Sequence, residues 1–123
     1  MSEMHHDQLE FLTVLEVEPV YDEDAFCLDY HVERDGLLLH LTVFLDEPRL
    51  ELTLKQSGQP KPILHFSFWV WEKAHRVLDK RGEFLEFSVC SLGNLWNNER
   101  PKSEDSFVQV QLWIKPQIHL ELH

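Results

Sequence analysis

The stretch that decides the fold runs from residue 26 to residue 45 and reads FCLDYHVERDGLLLHLTVFL. Apolar and polar residues alternate on both sides of Asp35–Gly36, and a period of two is typical of a β-strand with one buried face. Asp-Gly is a strong short-range hairpin signal, because glycine tolerates a positive φ. The stretch therefore predicts two antiparallel strands joined by a two-residue turn.

The position of this turn fixes the register of the hairpin. A two-residue loop gathers the apolar pairs on one face: Phe26 with Leu45, Leu28 with Val43, Tyr30 with Leu41 and Val32 with Leu39. A slip of one residue would destroy that face, since side chains alternate along a strand. The opposite face receives the remaining pairs: His31 with His40, Asp29 with Thr42 and Cys27 with Phe44.

A third strand is expected after the turn Asp46-Glu47-Pro48-Arg49. Its apolar residues join the same buried face if Leu45 lies opposite Leu50, Val43 opposite Leu52 and Leu41 opposite Leu54. This register places Lys55 beside His40. Residues 26–55 are therefore expected to form a three-stranded antiparallel meander with one buried face.

The rest of the chain extends the β pattern. Alternation predicts strands over residues 9–17, 84–90 and 107–122, the last of these bent at Pro116. Residues 63–71, ILHFSFWVW, are apolar on both faces and predict a central strand. At most one short helical turn is expected, near residues 72–80, where alternation is lost.

These segments predict an all-β fold of about eight short strands. The expected architecture is an antiparallel β-sandwich, with a flattened barrel as the alternative. We expect a single domain over residues 1–123, with residues 1–8 flexible.

Charge is spread unevenly along the chain, whose formal net charge is −11. Residues 1–62 contain 14 Asp/Glu and 4 Lys/Arg, whereas residues 63–123 contain 8 and 7. This acid excess repels phosphate backbones, so we expect no binding to nucleic acid. No apolar run reaches the roughly 18 residues of a membrane span, and MSEMHHDQLEF lacks the apolar region of a secretory signal. We expect a cytoplasmic protein, not bound to a membrane, with two free cysteines.

The densest acidic segment is EVEPVYDED, residues 16–24, with five acids in nine positions. Such a cluster attracts a basic partner and accelerates its encounter, although acidity can also serve solubility alone. A large aromatic side chain, Trp96, lies in the polar loop 91–106, where it would either anchor a partner or cover an open end of the sandwich. The candidate partner-binding residues are Glu16, Glu18, Asp22, Glu23, Asp24 and Trp96.

The sequence supports catalysis or metal binding less strongly than it supports partner binding. Imidazole and thiolate suit zinc, so the pair His31–His40 with the nearby Asp29 and Cys27 could hold a metal, but a lysine beside His40 would oppose a cation. The chain has no HExxH pattern, no nucleophile elbow and no glycine-rich phosphate loop. We therefore expect no catalytic residue, no metal and no cofactor, and a solvated polar face around His31 and His40.

Together these features predict a small acidic binding protein. The leading hypothesis is an inhibitor or immunity-type protein that neutralises or regulates a basic protein partner, such as a toxin or effector. The alternative is a ligand-binding or enzymatic β-barrel that uses the aromatic stretch 65–75, with Trp69 and Trp71 lining an internal pocket. The C-terminal strand, residues 117–122, is the expected free edge, through which a homodimer could form.

Overall fold

The structure is a computed structural model that describes residues 8–70, 74–89 and 108–123. These ranges contain one helix and nine strands: α1 (Gln8–Leu15), β1 (Val20–Asp22), β2 (Cys27–Arg34), β3 (Leu37–Phe44), β4 (Arg49–Gln56), β5 (Leu64–Trp69), β6 (His75–Asp79), β7 (Gly82–Val89), β8 (Val108–Trp113) and β9 (His119–Leu122). The strands form two antiparallel sheets, a large one in the order β1-β2-β3-β4-β5 and a small one in the order β6-β7-β8-β9. The expected antiparallel β-sandwich is confirmed.

The β2–β3 hairpin has the register that its turn predicts. Asp35 has a φ of 52° and Gly36 a φ of 79°, and two positive φ values in succession are what a type I′ turn requires. His31 lies opposite His40 in the resulting ladder. Phe26 differs from expectation, because its φ is 52° and β2 begins only at Cys27. Its left-handed backbone leaves the ring 43% exposed, so Phe26 does not join the buried face.

The β3–β4 pairing is shifted by two residues from the expected register. Val43 lies opposite Leu50, and Leu41 lies opposite Leu52. The buried face is preserved because the shift is an even number of residues. The connection is longer than expected, since the ladder stops at Val43. As a consequence Thr53, and not Lys55, lies beside His40.

The first described element is a helix, and the expected strand over residues 9–17 is wrong. The apolar residues Phe11, Val14 and Leu15 are spaced by three and four, so the segment also satisfies the helical period. All three are buried, whereas Leu9 is 70% exposed. The Phe11 ring lies between the two sheets, 5.6 Å from the ring of Tyr30 and 6.1 Å from that of Phe87.

Three other elements correct the sequence-based expectation. Residues 75–79 form strand β6, paired with β7, in place of a helical turn. Strand β5 is the last of the five-stranded order, so the aromatic stretch begins as an edge strand and not a central one. Residues 119–122 fold back on β8 as a hairpin, where one strand bent at Pro116 was expected.

The C-terminal segment still alternates apolar and polar residues as expected, although it forms two strands and not one. Val110 pairs with Leu122 and Leu112 with Leu120, so even-numbered residues of both strands share one face of the small sheet. Strand β9 is the last in that sheet, as expected for a free edge. A homodimer through residues 117–122 stays a prediction. Of the expected flexible segment 1–8, residues 1–7 lie outside the described residues, and Gln8 begins the helix.

The apolar core joins the helix to the inner faces of both sheets. Phe11, Leu41 and Leu52 from α1 and the large sheet meet Leu85 and Leu112 from the small sheet, and each is at most 1% exposed. Full burial of one such side chain contributes about 1.5–3 kcal/mol. The inner faces of the sheets are therefore buried in the core, so contact with other molecules is left to the outer faces and the edges. Within the described residues, no helix has the length and apolarity to cross a membrane.

Phe11→Ala tests whether the helix is part of the core. The lost phenyl ring leaves a cavity between the sheets, so the free energy of unfolding should fall by about 3–5 kcal/mol in urea denaturation. Leu9→Ala is the control and should change it by no more than about 0.5 kcal/mol, because Leu9 is mostly exposed. A strand over residues 9–17 would bury both side chains, so equal losses would contradict the helix.

Candidate partner-binding surface

The acidic segment 16–24 runs from the end of α1 along the edge of the large sheet. The N–H of Glu16 donates to the carbonyl of Leu12 at 2.8 Å, and its φ of 61° ends the helix. The chain then forms the short edge strand β1, in which Val20 lies opposite Asp29 and Asp22 opposite Cys27. The acids are therefore fixed along a sheet edge and do not belong to a free tail.

Two of the five acids already have structural partners. The carboxylate of Glu16 accepts a hydrogen bond from Lys115 Nζ at 2.6 Å, which neutralises part of its charge. Asp22 Oδ1 accepts the backbone N–H groups of Asp24 and Ala25, both at 3.1 Å, and so holds the turn between β1 and β2. These two residues hold the segment in place.

The remaining three acids are available to a partner. Glu18, Glu23 and Asp24 are exposed, and none of them forms an ion pair with another described residue. All three carboxylates face solvent, and the three residues lie within seven consecutive positions of the sequence. The structure thus separates the free acids from the two that stabilise the segment.

Exposed apolar side chains lie among these acids, and the sequence analysis missed them. Val20 and Tyr21 on β1 are more than half exposed, and the Tyr21 ring meets that of Phe26 edge to face at 6.4 Å. The available signal was the aromatic residue near each end of YDEDAF, residues 21–26, but alternation assigned Phe26 to the core. We call the following set the acidic–aromatic surface: Glu18, Val20, Tyr21, Glu23, Asp24 and Phe26.

A groove of about 390 Å³ lies beside this surface. It runs between the first turns of α1 and the start of the acidic segment, and its lining includes Leu9, Leu12, Glu18 and Pro19. The groove thus offers apolar contact next to a free carboxylate. Such a combination suits an amphipathic segment that carries a basic residue.

The other residues singled out from the sequence are less informative. Trp96 and Trp71 lie outside the described residues, so their proposed roles stay predictions. Trp69 is half-buried on the edge strand β5, opposite Arg49 of β4. Cys27 is a free buried thiol, as expected, and Cys90 lies outside the described residues. The enzymatic or ligand-binding alternative built on residues 65–75 also stays a prediction.

The outer face of the large sheet carries the histidine pair that the hairpin register predicts. The rings of His31 and His40 stack with their centroids 4.3 Å apart and their planes 16° apart. His40 Nε2 donates to Asp29 Oδ1 at 2.8 Å, and the hydroxyl of Thr42 donates to the same oxygen at 2.8 Å. The thiol of Cys27 lies 3.8 Å from Asp29 Oδ2 and donates to it. The expected solvated face is therefore a hydrogen-bonded cluster, with Asp29 as its common acceptor.

The protonation of this cluster follows from its contacts. Burial raises the pKa of Asp29, but the hydrogen bonds from His40 and Thr42 outweigh it and hold the pKa below the ordinary 3.8. Burial, together with the charges of Asp29 and Asp22, raises the pKa of the Cys27 thiol to about 11. At neutral pH the carboxylate is ionised and the thiol is protonated, so Cys27 is not an activated nucleophile.

Asp22, Cys27 and Asp29 are the described residues that could approach a metal, with one ligand atom of each within 4.8 Å of the others. Thr53 occupies the position beside His40 that was expected for Lys55, which lies two residues further along β4. However, Asp22 holds a turn, Asp29 accepts the hydrogen bonds of the cluster, and the thiol keeps its proton. The groups are already satisfied by one another, which favours a structural role.

Comparison with known proteins gives a match in fold. No protein-family model matches the chain, and no curated protein matches it in sequence. A chain of the contact-dependent growth inhibition toxin–immunity protein complex from Klebsiella pneumoniae 342 superposes with a TM-score of 0.73 and 18% sequence identity. The match covers 95% of this chain and 92% of that chain, so the two share the fold over nearly their whole length.

Asp29→Asn tests the stabilising role of the cluster. At pH 7 the variant should lose about 1–2 kcal/mol of unfolding free energy, because it weakens hydrogen bonds to a charged acceptor. A lowered folded-state pKa means that this stabilisation is complete above the unfolded-state value near 3.8 and is lost as the pH falls through the folded-state value. Urea denaturation should therefore show a difference between wild type and variant that persists at about pH 5 and narrows by about pH 3. A difference that grows on acidification would contradict this role.

Proposed function

We propose that this chain is an immunity-type protein that binds and neutralises a protein toxin. The observation that carries the proposal is the fold shared with a chain of a toxin–immunity protein complex. Net charge favours the immunity role over the toxin role, because a chain at −11 suits a basic partner and repels polyanionic substrates. In this role the protein would act in the cytoplasm.

The acidic–aromatic surface is the contact that we assign to the toxin. Protein interfaces combine a few aromatic anchors with a polar or charged rim. Tyr21 and Phe26 supply the aromatic contact, and Glu18, Glu23 and Asp24 supply the rim. The adjoining groove at Leu9 extends the apolar area. This arrangement supports an interface with a basic partner that also presents an apolar group.

The backbone of Phe26 adds support for a role in binding. A left-handed conformation costs a residue other than glycine about 1–2 kcal/mol. Phe26 adopts it with a φ of 52°, yet its ring remains 43% exposed and gains little from burial in the free protein. A bulky residue held in this way at a surface indicates a function other than stability of the fold.

Growth protection tests the proposed function directly. Expression of the protein encoded beside the gene for this chain should arrest bacterial growth, and co-expression of this chain should restore it. The two proteins should also co-purify as a complex. A neighbouring gene product that is harmless, or that arrests growth equally with and without this chain, would contradict the proposal.

Neutralising the three free acids tests how the toxin is recognised. The variant Glu18→Gln/Glu23→Gln/Asp24→Asn should associate with the toxin about tenfold more slowly at low salt, because electrostatic steering is lost. Its association rate should also depend less on ionic strength, since fewer charges remain to be screened. Stopped-flow fluorescence or surface plasmon resonance over a salt series measures both effects.

A matched control removes the same number of charges elsewhere. The exposed acids Glu33, Asp35 and Asp46 are among those that lie outside the acidic–aromatic surface. The variant Glu33→Gln/Asp35→Asn/Asp46→Asn has the same net charge as the test variant and should keep most of the wild-type rate. Equal slowing by both variants would show that net charge, and not this surface, governs association.

A further inference from the structure

A second concave site lies on the outer face of the large sheet. It has a volume of about 620 Å³, within the range of roughly 300–1,000 Å³ that is typical of small-molecule sites. Strands β2, β3 and β4 form its floor, and the loop after β4 contributes Pro60 and Pro62. Its lining also includes His31, His40 and Lys55. The pocket is separate from the acidic–aromatic surface, because Glu33 and Cys27 mark opposite ends of β2, about 20 Å apart.

The lining of this pocket includes Lys55, which has no carboxylate partner among the described residues. Arg49, Arg76, Arg81 and Lys115 each lie against a carboxylate. Lys55, by contrast, forms no ion pair with any residue in the described ranges, although it is half-buried. Its ammonium group is therefore an uncompensated positive charge within a pocket, where an anion would be held more strongly than on open surface.

The stacked histidines add donors and a flat surface. His40 donates through Nε2 to Asp29, so Nδ1 is the ring nitrogen left for contact with a ligand. The ring of His31 has no hydrogen-bond partner in the part of the chain that the structure describes. Leu38, Pro60 and Pro62 provide apolar contact around the two rings.

The other ionisable groups around the pocket are few. Glu33 is the acid in its lining, and the register places it two strands from Lys55, about 10 Å away, with Leu38 between them. Thr53 completes the row beside His40, and its hydroxyl is hydrogen-bonded to His65 Nδ1 at 2.7 Å. Lys55 therefore lies across the sheet from Glu33, whereas His31 is two residues from Glu33 on β2 and His40 contacts the carboxylate of Asp29.

We propose that this pocket binds a small organic anion, with a carboxylate or phosphate group carried on a planar ring. Lys55 and the ring N–H of His31 hold the anionic group, while the planar ring packs against the His31–His40 stack, Leu38 and the prolines. The site does not depend on the toxin partner proposed above, because the pocket and the acidic–aromatic surface lie at opposite ends of β2.

Two probes, AMP and benzoate, test the site by NMR titration of the full chain. Saturable shifts should be confined to the imidazole protons of His31 and His40 and to amides near Lys55. Inorganic phosphate and adenosine supply the anion and the ring separately, and each should bind more weakly than AMP. Shifts that follow phosphate alone would overturn the role of the ring, and absence of saturable shifts with both probes would overturn the site.

Variants distinguish the charges that form the pocket. Lys55→Met keeps the aliphatic stem and should weaken binding of both probes about tenfold, because one charge-assisted contact is lost. Glu33→Gln should tighten binding, which loss of structure would not do. Lys80→Met, in the exposed turn between β6 and β7, is the control and should leave the affinity unchanged. Equal weakening by the two lysine variants would show a general charge effect and overturn the proposal.

Discussion

The type I′ turn at Asp35–Gly36 is the constraint on which the rest of the structure depends. Two residues with positive φ fix which residues of β2 and β3 face each other, and side chains then alternate between the faces. Tyr30 and Leu41 enter the core, while His31 and His40 stack on the outside. One local turn thus determines which side chains enter the core and which lie on the outer face. Strands β4 and β5 continue the same alternation across the sheet.

The surface assigned to the toxin arises where this alternation ends. Glu16 terminates the helix, Asp22 holds the next turn, and Phe26 reverses the chain into β2 with a left-handed backbone. Between these points Val17 packs against the core, whereas Tyr21 and the free acids are exposed and are presented together. Position in the fold, as well as composition, therefore supports the proposal that this edge contacts a partner.

Sequence alone predicts the features that depend on short-range rules. The β2–β3 register follows from a two-residue turn, whereas the β3–β4 connection has no turn that fixes its length, and an error of two residues leaves the buried face intact. Residues 9–17 fit both the helical and the strand period, and only packing of Phe11 between the sheets decides between them. Edge and centre are likewise set by long-range pairing, as β5 shows.

The candidate site is predicted only in part for the same reason. The acids of segment 16–24 could be selected from composition, but their division into structural and free groups depends on Lys115, which is remote in sequence. The alternation of apolar and polar residues placed Phe26 in the core. A left-handed backbone at the residue before a strand does not change that alternation, so the sequence did not reveal it. The expected register already placed Lys55 near His40, but the pocket also depends on the position of the loop that carries Pro60 and Pro62, which no sequence pattern fixes.

Backbone NOEs test the hairpin register most directly. Arg34 and Leu37 flank the two-residue turn as a hydrogen-bonded pair, so the pairs His31–His40 and Asp29–Thr42 are non-hydrogen-bonded and bring their α-protons close together. The account predicts strong Hα–Hα NOEs for both pairs. Such NOEs from His31 to Leu39 or Leu41 would mean a slipped ladder, and the division between apolar core and polar outer face would then be wrong.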